Sequence, residues 1–519
     1  METSKKAKVA LLTPNLKGIK GGVNRIQPSL GVGYLAAVLQ REGHEVHVRD
    51  TALERYDNQV LLEDGRTVFI GETDTEIADY IGNINPDVVG ISVLFSNLAE
   101  HAHSIARIVK EVKPDTYVVV GGNHISNAAK DYWYARSTGN SGSSLGQTLL
   151  KEMKDPNIDF AMIGECDFEF NNLVNALTNQ QDLGSVGNLV YRRNGEIEFN
   201  NKPLKRDDKR FDIRGLPHPA RDLMKMEAYF KIGSFHSARS TSDRVLNAMA
   251  SRGCPEVCTF CTTPDMWGMG VRWRDPKDIF DEIKFGIKAY GIGELQFEDD
   301  TITANKNHLY ELCDLIGALG INWCTPNGTK VNYHMKEQPE MYRRMHDAGC
   351  YQLTLACETG VQRVMDEIIR KKLRVDQIKP AIENAKNAGM YAHTFWIAGY
   401  PGESREEMEE TVRFAADTGA DSFSISILSP LPGTPIYRKV VEENLWWPNI
   451  RGIQDMTYRT SLVKVDGFRG PEEFERWVEY HNRYLNRLLE QKNPARAQAY
   501  NRLSSARKLD PEQRFMKQT

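Results

Sequence analysis

The stretch SRGCPEVCTFCTTPDMWG, residues 251–268, carries three of the eight cysteines of the chain. Cys254, Cys258 and Cys261 follow the spacing C-x3-C-x2-C. Three thiolates at one turn can hold a metal, but a structural zinc site takes four ligands. Either a fourth ligand lies elsewhere in the chain, or one position of the site is left open.

On both sides of these cysteines the sequence alternates between apolar, strand-like runs and amphipathic helical runs. The predicted strands are VLNAMASRG, just before the cysteines, and ELQFEDD (294–300), INWCTPNGT (321–329), YQLTLACETG (351–360), YAHTFWIAG (391–399) and SFSISILSP (422–430). Six β/α units are too few for an eight-unit barrel, so the pattern predicts a partial (β/α)6 barrel.

The N-terminal third shows the same alternation. Its predicted strands are KVALLTP (8–14), EVHVRD (45–50), DVVGISVLF (87–95), TYVVVGGNH (116–124) and DFAMIGE (159–165). Helical periodicity between them, for example near 99–113, indicates a parallel, doubly wound, Rossmann-like sheet.

The chain therefore divides into four predicted parts. We expect an N-terminal domain at 1–195, a linker at 196–245, a barrel domain at 246–445 and a helical extension at 446–519. The linker is charged and is interrupted by LPHPARDL, and we expect it to pack across the domain interface. Residues from FERWVEYHNRYLNRLLEQK onward predict a helix followed by a polar, frayed end.

The composition is that of an ordinary soluble globular protein, with 40% hydrophobic and 26% charged residues. A net charge of -4 gives no general attraction to nucleic acid or to an anionic membrane. The N-terminus has no apolar segment typical of a secretory signal, and no apolar run reaches the roughly 20 residues that span a bilayer. We expect a cytoplasmic protein with neither nucleic acid nor membrane as a partner.

In a reducing compartment, clustered cysteines indicate metal binding or catalysis more often than disulfides. The remaining cysteines are scattered, and we expect them to be small core residues. They are Cys166, Cys313, Cys324, Cys350 and Cys357.

A 4Fe–4S cluster takes four ligands, usually thiolates. Three thiolates leave one iron free for a chelating molecule that binds through its amino and carboxylate groups. In this the stretch resembles the radical S-adenosylmethionine (SAM) superfamily, whose three-cysteine motif Cys254, Cys258 and Cys261 match. The resemblance implies a 4Fe–4S cluster and SAM; the alternative is a zinc site completed by a distant histidine or cysteine.

The resemblance extends to the C-terminal ends of the barrel strands, where active sites of β/α barrels lie. The matching residues are Phe260, Glu298, Asp299, Asp300, Glu358 and the turn from Ile397 to Gly399. The resemblance implies that Phe260 and the turn contact the adenine of SAM. It implies that the acids after the second strand contact the SAM amino group, and that Glu358 contacts the ribose. The alternative is that the acids cap the following helices.

The N-terminal domain resembles the cobalamin-binding domain that precedes many radical SAM domains. Ser92, Leu94, Gly121 and Gly122 match the strand ends that admit the nucleotide tail of the cofactor, beyond the carboxyl edge of the sheet. The resemblance implies that these residues bind cobalamin. A nucleotide-binding domain without cobalamin is the alternative.

One departure concerns the cobalt ligand. The D-x-H-x-x-G of the family is absent, and the first loop reads NLKGIKGGVNRIQPSLG. His44 and His47 come only after the next helix, so we expect cobalt to be bound without a protein histidine. Lys17, Lys20 and Arg25 in this loop either face the cofactor or an anionic substrate, or are solvated.

Over residues 8–440 the chain is most similar to class B cobalamin-dependent radical SAM methyltransferases that act on phosphonate and phosphinate antibiotic precursors. The stretches SRGC-x3-CTFCTT, Trp267–Gly268, FEDDTIT and ETGVQRV carry this likeness. It implies that a 5′-deoxyadenosyl radical takes a hydrogen atom from a small, anionic substrate. Carbon or phosphorus then receives a methyl group from methylcobalamin, which a second SAM regenerates.

The resemblance also implies an electron donor such as flavodoxin or ferredoxin. A cobalamin-dependent cyclase or oxidase would share these motifs without transferring a methyl group. A cobalamin sensor without enzymatic activity would not need the cysteine motif.

Overall fold

The computed structural model describes residues 5–22, 24–139, 145–200, 212–237, 239–268, 270–457 and 459–503. In the N-terminal part the strands are β1 Lys8–Thr13, β2 Leu16–Ile19, β3 Glu45–Asp50, β4 Gln59–Leu61, β5 Thr67–Ile70, β6 Val88–Ser92, β7 Tyr117–Gly121, β8 Phe160–Met162, β9 Leu189–Arg193 and β10 Glu196–Phe199. The helices are α1 Leu30–Arg41, α2 Thr51–Glu54, α3 Asp74–Ile84, α4 Ala99–Val112, α5 Asn123–Ser137, α6 Gln147–Lys154 and α7 Glu169–Thr178.

The first sheet has the order β10-β9-β8-β7-β6-β1-β3. Strands β3, β1, β6, β7 and β8 of this sheet are parallel to one another. Strands β9 and β10 add an antiparallel hairpin at one edge. Strands β1 and β6 are almost fully buried, as expected of apolar runs covered by helices on both faces. The predicted doubly wound domain is confirmed.

Strands β2, β4 and β5 form a separate antiparallel sheet that the sequence did not predict. Strand β2 lies inside the predicted first loop and pairs with β5. These strands are three or four residues long, and β4 is fully exposed. Such short segments carry too little periodicity to be recognised from sequence.

The second half begins with α8 Met226–Ile232 in the predicted linker. The strands that follow are β11 Val245–Ala248, β12 Ser251–Arg252, β13 Arg272–Trp273, β14 Glu294–Phe297, β15 Asn322–Lys330, β16 Cys350–Glu358, β17 Tyr391–Ala398 and β18 Ser422–Ile427. The helices are α9 Thr263–Trp267, α10 Pro276–Tyr290, α11 Lys306–Gly317, α12 Gln338–Asp347, α13 Ile378–Asn387, α14 Arg405–Ala416 and α15 Pro435–Glu442, with a π-helical turn at Val364–Ile369.

Six of these strands form one parallel sheet in sequence order, β11-β14-β15-β16-β17-β18. The partial (β/α)6 barrel is confirmed. Local sequence signals set its helices: in α10 Asp275 caps the N-terminus, Pro276 takes the first position, and Gly291 ends the helix in the left-handed conformation. The short pair β12 and β13 frames the cysteine loop.

Two helices complete the chain, α16 Pro471–Lys492 and α17 Pro494–Arg502. Asn482 and Asn486 of α16 bond to the backbone of Ile425 and Phe423 at distances of 2.7–3.2 Å. Their amide groups thus take the place of a neighbouring strand along β18, which would otherwise be an open sheet edge. The predicted C-terminal helix is confirmed; the predicted frayed end lies largely outside the described residues.

The predicted linker is mostly ordered where it is described. Strand β10 falls inside it and belongs to the first sheet, whereas residues 201–211 and 238 lie outside the described residues. Arg221 is buried and pairs with Glu282 of α10 at 2.6 Å. Ile213 and Leu216 pack against Leu30 and its neighbours on α1, so the linker contacts both domains.

Two further expectations concern burial. Cys313, Cys324, Cys350 and Cys357 are buried as predicted, and Cys166 is half-buried. Within the described ranges, no helix combines the length and apolar character needed to cross a membrane.

Candidate active site at the facing strand ends

The cysteine loop follows β12, just after the first barrel strand β11. Gly253 has a φ of 103°, and a Cβ atom there would lie 2.4 Å from the carbonyl oxygen of Gly270. Asp299, which follows β14, accepts hydrogen bonds from the Ala250 amide at 2.9 Å and from the Ser251 hydroxyl. A glycine and a buried carboxylate therefore fix the backbone from which the cysteines project.

The three thiols share one environment. Burial raises the pKa of Cys254 and of Cys258 to about 12, and it also raises that of Cys261. A thiolate at Cys261 raises the pKa of both other cysteines further, so the three sulfurs lie close enough to repel one another when charged. Three thiolates persist together here only if a cation compensates them, which fits ligation of a metal cluster.

The zinc alternative requires four ligands around one ion. In the part of the chain that is described, no group of three or more histidine, cysteine, aspartate or glutamate side chains is arranged to hold a single metal ion. A 4Fe–4S cluster instead binds each thiolate at a different iron, so its ligands need not converge on one point. Three cysteines supply ligands for three of the four irons of such a cluster.

The acids after β14 have different surroundings. Both oxygens of Asp299 are bonded to the cysteine loop, and burial raises its pKa to about 7. Asp300 accepts the Thr263 hydroxyl at 3.1 Å, and burial raises its pKa to about 6. Its charge raises the pKa of Cys261, which places it beside the thiols. Asp299 thus supports the loop, and Asp300 faces the cysteines.

Glu358, the last residue of β16, has a φ of 65° and pairs with Lys371 at 2.6 Å. Both side chains are buried. Burial by itself lowers the pKa of Lys371, but Glu358 and the Cys258 thiolate outweigh it and raise the pKa overall. Lys371 in turn lowers the pKa of Cys258. Sequence analysis missed this lysine, which stands among basic residues in IIRKKLR with no distinctive pattern.

The predicted adenine-side residues lie together. The rings of Phe260 and Tyr400 have centroids 6.0 Å apart, and Tyr400 follows Gly399. Gly399 has a φ of 88°, and a Cβ atom there would lie 2.9 Å from the Phe474 ring of α16. Its lack of a side chain is therefore required by the packing of α16. Ile397 is half-buried beside this turn.

Glu403 holds the same turn and was also missed by sequence analysis. One oxygen of Glu403 accepts the Gly399 amide at 2.9 Å and the Tyr400 amide at 3.1 Å. Burial raises its pKa to about 8. Its position four residues after the glycine, in GYPGE, is the signal that could have identified it.

The predicted cobalamin residues lie at the carboxyl edge of the first sheet. Ser92 and Gly121 are paired at the ends of β6 and β7. Leu94 is 54% exposed, so an apolar side chain stands at this edge where a large cofactor could cover it. A Cβ atom on Gly121 would meet nothing closer than 3.6 Å, whereas one on Gly122 would lie 2.7 Å from the Val93 carbonyl. Gly121 leaves the edge open, and Gly122 permits close packing of the two strand ends.

Three histidines of the first domain bear on the prediction that cobalt is bound without a protein histidine. His44 and His47 lie at the start of β3, at the opposite edge of the sheet from Ser92. His124 follows the glycine pair, but its ring nitrogens contact the Ser96 hydroxyl at 2.9 Å and the buried Glu152 at 3.3 Å.

The three basic residues of the first loop lie in different surroundings. The ammonium of Lys17, on β2, donates to the Gln454 carbonyl at 3.3 Å. Lys20 is exposed. Arg25 lies near His393 of β17, because its charge lowers the pKa of that imidazole. Only Arg25 of these three is placed at the barrel.

The two carboxyl edges face each other across a buried ion-pair network. Arg252, two residues before Cys254, bonds to Asp167 at 2.8 and 3.0 Å and to Glu165 at 3.1 Å. Arg272 of β13 pairs with Glu165 at 2.7 Å. Because these acids follow β8, the edge of the first sheet is fastened directly to the cysteine loop.

Comparison with known proteins agrees with this geometry. The model of the radical SAM superfamily matches residues 249–415, and that of the B12 binding domain matches residues 17–139. Cytidylyl-2-hydroxyethylphosphonate methyltransferase of Streptomyces wedmorensis is 31% identical over 93% of this chain and 91% of its own. Anaerobic magnesium-protoporphyrin IX monomethyl ester cyclase of Rubrivivax gelatinosus is 24% identical over 92% of this chain and 77% of its own.

Solved structures share the fold. The cobalamin-dependent SAM radical enzyme OxsB, with aqua-cobalamin and SAM bound, has a TM-score of 0.67 at 15% identity, over 99% of this chain and 74% of its own. The radical SAM methyltransferase TsrM of Kitasatospora setae, with tryptophan and a SAM analogue bound, has a TM-score of 0.63 at 16% identity, over 90% and 82%.

The methyltransferase interpretation is better supported than the cyclase alternative, because the methyltransferase relative is the more similar over the whole length. The protein is an enzyme that uses a 4Fe–4S cluster, SAM and cobalamin. The chain belongs to the family of cobalamin-dependent radical SAM methyltransferases.

Proposed function

We propose that this enzyme methylates carbon or phosphorus in a small phosphonate or phosphinate. The observation that carries the proposal is the 31% identity, over 93% of this chain, to cytidylyl-2-hydroxyethylphosphonate methyltransferase of Streptomyces wedmorensis. In addition, the charges of Arg25 and Arg239 both lower the pKa of His393 of β17. His393 shares a face of this strand with Ile397, since side chains alternate along a strand. Positive charge therefore acts on the strand face that also carries the predicted adenine segment.

Burial lowers the pKa of His393 to about 3, and the charges of Arg239 and Arg25 lower it further, so the imidazole is neutral. The Ser422 hydroxyl lies 2.7 Å from its Nδ1 atom. Arginine is well suited to the oxygens of a phosphonate, so this positive charge favours an anionic substrate. The name of the Streptomyces relative, which is a phosphonate methyltransferase, supports the same substrate class.

We propose roles for the site residues on the same basis. Cys254, Cys258 and Cys261 hold the cluster. Phe260, Asp300, Glu358 and the backbone at Gly399 bind SAM, and Asp299 supports the cysteine loop. Ser92, Leu94 and Gly121 receive cobalamin, and Gly122 supports their strand ends. The domain limits we propose are 1–199 for the cobalamin-binding domain, since β10 belongs to its sheet, 245–445 for the barrel, which begins with β11, and 446–519 for the C-terminal extension, with 200–244 linking the first two.

The cofactors supply radical cleavage of SAM and transfer of a methyl group. The contribution of the protein is placement and exclusion of water. The pairs from Arg252 to Asp167 and Glu165 hold the cobalamin edge against the cysteine loop, so a substrate between the edges meets both cofactors. We propose a cytoplasmic flavodoxin or ferredoxin as the electron donor.

The test is incubation of the anaerobically reconstituted enzyme with methyl-deuterated SAM and a set of phosphonates and phosphinates, as free acids and as cytidylyl esters. We expect one product to gain a methyl group with all three deuterium atoms, together with one 5′-deoxyadenosine and one S-adenosylhomocysteine. Deoxyadenosine formed with a product that gains no methyl mass would favour the cyclase or oxidase alternative. Arg239→Gln should raise the KM of the substrate without lowering the iron content.

A further inference from the structure

Glu298 carries a carboxylate whose bonding is incomplete. It follows β14, and its Oε2 atom accepts a hydrogen bond from Nδ1 of His236 at 2.8 Å. The side chain of Glu298 is only 10% exposed. Its Oε1 atom is buried, and no donor among the described residues bonds to it. A buried carboxylate oxygen without a partner is costly, so a donor is expected there in the working enzyme.

The face of β14 to which Glu298 belongs is the concave face of the barrel. By the two-residue period of a strand, Glu298 shares this face with Gln296 and Glu294. Tyr351 of β16 donates to Glu294 at 3.0 Å, across the intervening strand β15. Side chains of two strands can meet over a third only on the inside of the curved sheet. Glu298 therefore projects into the barrel.

The lower part of this face is already filled by the linker. Glu294 bonds to the Thr241 hydroxyl at 2.9 Å, and Gln296 accepts the Ser237 amide at 3.0 Å. Glu298 lies nearest the carboxyl end of the strand, and within the described part of the linker its side chain is bonded by His236 alone. The linker thus bonds to the side chains of Glu294 and Gln296. Its described residues leave Oε1 of Glu298 unbonded at the carboxyl end of β14, near Asp300.

We propose that Oε1 of Glu298 accepts a hydrogen bond from a hydroxyl group of the substrate, with His236 as the residue that positions the carboxylate. This inference rests on the proposed function. A carboxylate repels a phosphonate, so the anionic end of the substrate lies away from Glu298 and its hydroxyl end lies toward Glu298. A hydroxyl supplies the one donor that this oxygen lacks.

The assignment makes Glu298 a selector of hydroxylated substrates. An analogue that lacks the hydroxyl would leave a buried, charged acceptor unpaired. Sites built to bond a hydroxyl reject such analogues strongly, whereas an apolar pocket discriminates weakly. This role therefore predicts a difference in affinity between a ligand with the hydroxyl and one without it. Destabilisation of the fold would weaken the binding of both ligands and would not produce this difference.

The experiment measures equilibrium binding to the reconstituted holoenzyme with SAM present. The probes are 2-hydroxyethylphosphonate, ethylphosphonate and 2-aminoethylphosphonate, each as the free acid and as the cytidylyl ester. We expect the wild-type enzyme to bind the hydroxyl compound about 10- to 100-fold more tightly than the ethyl compound, as for a hydrogen bond to a charged acceptor. Glu298→Gln should reduce this preference about tenfold, and His236→Asn should reduce it less.

Glu227→Gln is the matched control, because Glu227 is an exposed carboxylate outside the barrel that pairs with Arg244. It should keep the full preference, and all variants should keep their iron content. Equal binding of the hydroxyl and ethyl compounds by the wild-type enzyme, or an unchanged preference in Glu298→Gln, would overturn the inference and leave phosphonate methylation standing. Tighter binding of the amino compound would overturn the hydroxyl assignment. Failure to bind any of the probes would overturn the phosphonate proposal as well.

Discussion

Arg252 and Asp167 form a bidentate ion pair, with nitrogen–oxygen distances of 2.8 and 3.0 Å, between the cysteine loop and the cobalamin domain. Both side chains are buried. The planar guanidinium bonds to both carboxylate oxygens at once, which fixes orientation as well as distance. The mutual position of the two cofactor edges therefore depends on a few buried charges next to the first cysteine.

Replacing Arg252 by leucine should destabilise the protein. The change leaves Asp167 buried without its cation, and breaking a buried pair in this way costs about 3–5 kcal/mol. Urea denaturation should show the loss. The control is Arg214→Leu, because Arg214 pairs with Asp212 at the exposed surface and such pairs contribute about 0–1 kcal/mol. Similar losses in the two variants would contradict the role of the buried pair.

The cysteine assignment predicts about four irons at this site in anaerobically reconstituted protein. Cys258→Ala should lose the iron and all SAM cleavage. Cys313→Ala is the matched control, since Cys313 is buried in the core on α11 and should be replaceable without loss of iron. Iron analysis and visible absorbance measure both. Full zinc occupancy without iron in the wild-type protein would refute the assignment.

The two aspartates after β14 should respond differently to removal of charge. Asp300→Asn should weaken SAM binding while the cluster is retained, because Asp300 faces the thiols. Asp299→Asn should instead reduce iron retention and the melting temperature, because both Asp299 oxygens hold the cysteine loop. SAM affinity, iron content and thermal melting separate the two. The opposite pattern would exchange their roles.

Glu403 predicts a pH dependence of stability. Burial raises its pKa from 4.5 to about 8, so the folded state binds this proton more tightly than the unfolded chain. Stability from this group is therefore complete below about pH 4.5 and is lost as the pH rises toward 8. Glu403→Gln should remove this loss. The difference in melting temperature between the variant and the wild type should therefore shift in favour of the variant as the pH rises from about 6 to about 8. The exposed Glu410→Gln should show no such trend.

The cobalt should have no imidazole ligand from this chain. His44 and His47 lie at the wrong edge of the sheet, and His124 is engaged by Ser96 and Glu152. Paramagnetic resonance of the Co(II) state should therefore show no nitrogen superhyperfine splitting from an axial ligand. His124→Gln should leave the spectrum unchanged. A nitrogen-split signal in the wild type that disappears in this variant would identify His124 as a ligand.

Several sequence predictions agree with the structure because local patterns determine them. The alternation of apolar runs and helices predicted the six barrel strands and the five parallel strands of the first sheet, and the spacing of Cys254, Cys258 and Cys261 predicted their common loop. Capping residues such as Asp275 and Gly291 act within one turn of the helix, so they can be recognised from the sequence.

Other residues became visible only through distant contacts. Lys371 reaches Glu358 through the packing of the turn after β16. His236 and Thr241 belong to a charged linker without periodicity, yet they lie inside the barrel on the acceptors of β14. The three-residue strand β4 likewise depends on pairing with β5.

The amino-acid sequence by itself determined the two α/β domains, the cysteine loop and the class of cofactor chemistry, because strand and helix periods and cysteine spacing are local properties of the chain. Only the tertiary structure decided which buried acids face the thiols, which support the loop, and which oxygen of Glu298 is left for a substrate. These roles depend on desolvation and on partners far away in sequence, and both arise only when the chain is folded.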